Sequence, residues 1–142
     1  MSSATLTLPV RRLRAADESW AAALLTAAYA SDPYLSAPAG PAAHPDWLRL
    51  LLRYALRAGC VYAAGTQGVA VWLPAGAGAL AWGTLLRAGP AAWPRHLDWV
   101  SCRRLMRWQQ AQEVLHRRAL SVPNHCLLAL GVAPEAQRQG VG

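Results

Sequence analysis

Apolar residues change their spacing several times along this chain, and each change marks a new element. Leu8 to Leu13 reads as a short strand. Trp20, Leu24 and Ala27 or Ala28 then recur on one helical face, with Asp17 as N-cap and an end near Ser31, where Asp32-Pro33 opens a loop. A connector from Tyr34 to His44 leads to Pro45-Asp46 and a second amphipathic helix. Trp47, Leu48, Leu51, Leu52, Tyr54 and Ala55 form its apolar face, Arg49, Arg53 and Arg57 its polar face, and Gly59 its stop.

The spacing then shortens. Cys60 to Ala64 and Gly68 to Leu73 are β-like runs separated by Gly65-Thr66-Gln67-Gly68, a tight hairpin signal, and Pro74 ends the second run. Ala79 to Ala88 reads as a short helix closed by Gly89-Pro90. Beyond Pro94 the longest periodic segment repeats Leu105, Trp108, Ala111, Leu115 and Ala119 at helical spacing, with Arg103, Arg104, Arg107, Arg117 and Arg118 on its other side. Val122-Pro123-Asn124 breaks it, and His125 to Val132 is a last strand whose apolar centre is Cys126 to Leu130. That order predicts an α/β chain of the α+β type, a mixed, mostly antiparallel sheet flanked by helices.

Composition narrows the picture. The chain has 142 residues, the size of one domain, and 54% hydrophobic with 15% charged residues is incompatible with a disordered segment. From Ala58 to Leu86 no residue is charged, but glycines and Pro74 punctuate the run, which reads as buried strands and a turn rather than a membrane span. The N-terminus carries no signal-peptide pattern, and Cys60, Cys102 and Cys126 are too widely spaced for a zinc site. A cytoplasmic protein with reduced thiols and no metal is expected. The net charge of +7 comes wholly from arginine, whose fork suits phosphates and carboxylates; the absence of Lys, Ile and Phe beside abundant Ala and Arg equally fits GC-rich coding.

The chemistry concentrates at Val132 to Gly142, V-A-P-E-A-Q-R-Q-G-V-G, directly after the last strand. A strand running into a Gly-bearing loop presents successive backbone NH groups to an anion. Gly140 and Gly142 allow close backbone approach, and Gln137 and Arg138 add side-chain donors. The G-x-G-x-x-G dinucleotide fingerprint is not completed here.

The stretch L-A-L-G-V-A-P-E-A-Q-R-Q-G-V-G resembles motif A of the GCN5-related N-acetyltransferases, matching at Val132, Pro134, Gln137, Gly140 and Gly142. Asp32-Pro33 and G-V-A-V-W-L-P at Gly68 to Pro74 resemble the corresponding parts of one branch of that superfamily, which often has a second proline where this chain has Ala75. The resemblance implies a single N-acetyltransferase domain over 1–142 with a helical insertion at about 79–120. It implies acetyl-CoA as acetyl donor, with Leu130, Gly131 and Val132 bonding the pantetheine and Gln137, Arg138, Gln139, Gly140, Val141 and Gly142 receiving the pyrophosphate. The Val132 NH is then placed to polarise the thioester carbonyl. Family elements that follow this loop, including the helix with a tyrosine acid, lie beyond Gly142. The 142 residues by themselves are therefore expected to be inactive, to bind CoA poorly and to aggregate.

The acceptor is expected to be a primary amine, on a small molecule or a protein. Tyr34 and Trp72 are candidates to line its pocket, although a tryptophan on a buried strand more often packs. His125, at the head of the last strand, is the candidate proton relay, against a turn residue in contact with solvent. Glu135 reads as a solvated turn residue. The alternatives are a non-catalytic acyl-CoA-binding or regulatory module and, behind it, a basic nucleic-acid-binding protein. The arginine faces read best as solvated helix surfaces, so neither nucleic acid nor membrane is expected as partner, and a homodimer remains open.

Overall fold

A computed structural model of the chain describes residues 8–34, 37, 40, 44–58, 60–75, 95 and 98–142. Its element order is β1 (Val10–Arg12), α1 (Glu18–Ala28), α2 (His44–Ala58), β2 (Val61–Ala64), β3 (Gly68–Leu73), α3 (Trp99–Ala119) and β4 (Cys126–Val132). Short 3₁₀ turns at Ala15–Asp17 and Pro134–Ala136 precede α1 and follow β4. The expected helix at Ala79 to Ala88 lies outside the described residues.

The four strands form one antiparallel sheet in the order β1-β2-β3-β4. The β2–β3 hairpin closes where the sequence signal places it. Ala64 pairs with Gly68, and Gly65 turns the chain at φ +53, a conformation that suits glycine. β3 pairs with β4 across a long connection, Val71 opposite Ala129 but Trp72 opposite Leu127, so Leu128 is an extra residue. Such a bulge bends β4 and re-aims the side chains beside it.

Alternation along the strands separates two faces. Val61, Ala63, Val69, Val71, Ala129 and the buried Gly131 face the helices. Gly131 permits that packing, since a Cβ there would lie 2.8 Å from Leu25 Cδ2 and 3.2 Å from Ala28 Cβ. Leu13, Ala21, Ala22, Leu24, Leu25, Leu48, Leu52 and Ala55 complete the main core. On the other face Tyr62, Leu127 and Leu130 are exposed, and the chain after β4 returns over it. A Cβ on Gly68 would stand 3.1 Å from Val141 Cγ1.

α2 buries two stripes. Leu48, Leu52 and Ala55 join the main core, while Trp47, Leu50 and Leu51 build a second cluster with Cys102, Leu105 and Met106 of α3. Burial of each large side chain contributes roughly 1.5–3 kcal/mol. Arg49 and Arg53 of its polar face both reach Glu18 on α1, at 3.1 and 2.8 Å. They tie the two helices together rather than standing free in solvent.

Three local expectations change. Asp17 does not cap α1 through its side chain; its carboxylate accepts from the Arg14 NH at 2.9 Å and from Arg11, closing the 3₁₀ turn. α1 ends at Ala28 rather than near Ser31, with Tyr29 as its cap. α3 buries Cys102, Leu105, Met106 and Gln109, whereas Leu115 is 64% exposed. The apolar stripe read from Leu105 to Ala119 follows the packed face only at its start, because the helix leaves the core in its second half. Asp98 caps α3 by accepting from the Ser101 NH at 2.6 Å, and that bond holds its carboxyl below the usual range.

Candidate functional site

The NH of Ala133 donates to Gln67 O at 2.8 Å, which fixes the phase of the β3–β4 ladder. In an antiparallel pair, alternate residues bond across the pair and those between turn NH and CO outward. Ala129, Gly131 and Ala133 therefore bond towards β3, while Leu130 and Val132 present theirs to the free edge of β4. At that edge the Tyr29 hydroxyl donates to Leu130 O and accepts from Leu130 NH, each at 3.0 Å. The Val132 carbonyl accepts from Gln137 Nε2 at 3.2 Å.

The chain beyond β4 turns twice. Pro134–Ala136 is a 3₁₀ turn, Gln137 is extended, and Arg138 at φ 64 and Gly140 at φ 78 adopt left-handed backbone. For an arginine that conformation costs about 1–2 kcal/mol, and such strain concentrates at loops with a task. Gln139 Nε2 donates to Glu135 O at 2.9 Å. The Gln137 side-chain amide, expected to face a ligand, instead holds the loop's shape, as does that of Gln139, which leaves backbone NH groups and the exposed Arg138 as the loop's outward donors. A Cβ on Gly140 would meet nothing within 4 Å, so its backbone stands open to approach. Val141 and Gly142 pack on the side-chain face beside Gly68, Val132 and Leu130.

A cleft of about 470 Å³ lies at the opposite end of β4, between that strand's start and the second half of α3. Leu73, Pro74, Val122 and Leu128 supply apolar walls, and Glu113, His116, Asn124 and Cys126 supply chemistry. His116 Nε2 lies 2.8 Å from Asn124 Oδ1, and Asn124 Nδ2 donates to Val122 O at 3.1 Å. Glu113 pairs with Arg117 at 2.6 Å. Burial pushes the Cys126 thiol up, and the nearby Glu113 charge adds to this; burial does the same at Cys102. Both thiols are protonated at neutral pH and are poor nucleophiles.

The residues expected from the sequence separate into groups. Leu130, Gly131 and Val132 occupy the strand, with Leu130 and Val132 on its open edge and Gly131 turned inward. Residues 137–142 form the loop directly after it. Tyr34 lies just past α1, 75% exposed, with its NH bonded to Asp32 Oδ1 at 2.7 Å. Trp72 is half-buried on the sheet face away from the helices, opposite Leu127. His125 is exposed, and the imidazole lining the cleft is His116. His116 shows no ligand spacing in the sequence, and its three-residue separation from Glu113 on one helix is too common a pattern to single out the pair. Tyr29 gave no signal, as its partner Leu130 is 101 residues away.

Among the described residues no cluster of His, Cys, Asp and Glu could hold a metal ion, and no helix is long and apolar enough to cross a membrane. No protein-family model matches the chain, and no curated protein matches it.

Proposed function

We propose that the open edge of β4 and the loop after it hold acyl-CoA, and that the protein is an N-acetyltransferase of the GCN5-related type acting on a primary amine. The observation that carries this reading is the placement of outward NH and CO groups at Leu130 and Val132 immediately before a loop with left-handed backbone at Arg138 and Gly140. An extended amide chain pairs with a strand edge, and a diphosphate pairs with loop NH groups and an arginine. The Tyr29 hydroxyl bonds both outward groups of Leu130, so a ligand amide there would displace it. A polar partner suits that position, and an amide can take the hydroxyl's place.

Bound acetyl-CoA supplies the acetyl group as a thioester. The protein's own part is orientation. Leu130 and Val132 fix a linear ligand along the strand, Gly131 keeps β4 tight on α1, and Arg138 with the Gly140 backbone fixes the anionic end. The Val132 NH donates to an oxygen that gains negative charge, which favours the transition state over the ground state. Holding the two reactants in register lowers the entropic barrier of a bimolecular step.

Titration of the protein, extended past Gly142, with CoA, followed by amide NMR shifts, tests the reading. Leu130, Val132, Arg138 and Gly140 should move together, and dephospho- or pantetheine-only fragments should move subsets of them. Absence of shifts at millimolar CoA overturns the proposal, and salt-sensitive DNA binding without CoA binding would favour a basic nucleic-acid module instead.

A further inference from the structure

We propose that the solvent face of α3 docks on an anionic phospholipid surface, which its arginines hold by charge and the aliphatic side chains between them enter. The proposal is independent of the acyl-CoA reading of the β4 edge.

Helical spacing builds the face. Val100, Arg104, Arg107, Ala111, Leu115 and Arg118 recur at steps of three and four residues, with Arg103 and Val114 beside them, and all eight are exposed. On the opposite side Cys102, Leu105, Met106 and Gln109 are buried. From Arg104 to Arg118 the stripe runs about 21 Å, straight enough to lie along a flat surface.

Its charge is of one sign. Glu113 is the only acid in α3, and it lines the cleft, paired with Arg117 at 2.6 Å. Asp98, before the helix, accepts from the Ser101 NH, and Arg104 acts on that carboxylate only through space. Arg11, Arg49, Arg53 and Arg117 are each bound to a carboxylate, whereas Arg103, Arg104, Arg107 and Arg118 form no ion pair among the described residues. Four such guanidiniums on one face, in a chain of net charge +7, attract an extended anion.

The apolar side chains decide which anion. Val100, Val114 and Leu115 are 57%, 49% and 64% exposed. With Trp99, Leu120 and Val122 they make six of the eleven exposed large apolar side chains described, so such residues concentrate on α3 and just beyond it. Nucleic acid offers phosphates but little to cover three aliphatic side chains. At a lipid boundary those side chains enter the acyl region while arginines, on their long stems, stay at the phosphates. A protein that wraps an amphipathic helix would need the apolar face of α3, which the core already holds. A second copy would set arginine against arginine.

Flotation of the protein with phosphatidylcholine vesicles, with or without about one third phosphatidylserine, tests this. The protein should float with the anionic vesicles at about 0.1 M salt, not with the neutral ones, and be released at about 1 M. Each arginine is worth about fivefold in partitioning, so Arg104→Glu combined with Arg107→Glu should lower it at least about 25-fold. Val114→Asn combined with Leu115→Asn keeps every charge and should lower it about tenfold. Arg12→Glu makes a like change on β1, at the far edge of the sheet from β4, and should lower it less than about twofold because salt screens distant charges. All substituted side chains are exposed, so circular dichroism should match the wild type. Equal flotation with neutral vesicles, none with anionic ones, unchanged partitioning in either folded α3 variant, or as large a loss in Arg12→Glu overturns the proposal. Duplex DNA held more tightly than the vesicles, and indifferently to the two asparagines, overturns it in favour of a nucleic-acid surface.

Discussion

One hydroxyl, that of Tyr29, bonds both the NH and the CO of Leu130 at 3.0 Å each. It covers the outward groups of one residue on the β4 edge, where an unpaired strand would recruit another chain. Tyr29→Phe should therefore speed hydrogen exchange at the Leu130 amide while costing only about 0.5–1.5 kcal/mol in urea unfolding, because water can replace the hydroxyl at an exposed edge. In the acyl-CoA reading the same hydroxyl competes with the ligand, so CoA affinity should rise by up to about tenfold. Unchanged exchange at Leu130 would contradict the edge contact.

Gly131 is constrained by packing rather than by φ. A methyl group there would stand 2.8 Å from Leu25 Cδ2 and 3.2 Å from Ala28 Cβ. Leu25 is 1% exposed and has nowhere to rotate, so α1 must lift from β4. Gly131→Ala should cost about 1–3 kcal/mol by denaturant titration and, by shifting Tyr29 away from the edge, speed hydrogen exchange at the Leu130 amide. A neutral substitution would show that the helix and sheet separate easily.

Arg138 carries opposite consequences for stability and binding. At φ 64 its backbone is strained, and glycine relieves that strain while adding unfolded-state entropy. Arg138→Gly should raise stability by up to about 1 kcal/mol and, by removing a guanidinium next to the proposed diphosphate, weaken CoA. Thermal melts and CoA titration on the same variant read the two signs; a loss of stability would mean that the side chain holds the loop.

Much of this arrangement was readable from local patterns. The hairpin at Gly65, the arginine face of α2 and the strand before Val132 all announce themselves within a dozen residues, since turn chemistry and periodicity are local. The long-range relations did not. Leu50 is buried because α2 lies between two clusters, and Leu115 is exposed because α3 outruns its partner. A single apolar stripe cannot encode either fact. The motif at 132–142 was legible as an anion loop, yet Gln137 and Gln139 spend their amides on Val132 and Glu135. The cleft was invisible because Glu113, His116, Asn124 and Leu73 meet only in three dimensions.

Asp17 gives the chain a defined acid response. The Arg11 guanidinium, followed by the Arg14 NH, holds its carboxyl down to about 2 from an ordinary 3.8. A carboxyl with a depressed folded pKa contributes stability that is full above its unfolded value and is lost as pH falls through the folded one. That contribution should thus be intact above about pH 5 and fade between roughly pH 4 and pH 2. Both partners are solvent-accessible, so salt should screen the effect. Asp17→Asn removes the titrating group together with the Arg11 bridge. Urea midpoints measured from pH 6 to pH 2 should show the wild type losing its advantage over the variant across that window, and less so at 1 M salt. Parallel curves for the two proteins would show that the bridge to Arg11 does not persist in solution.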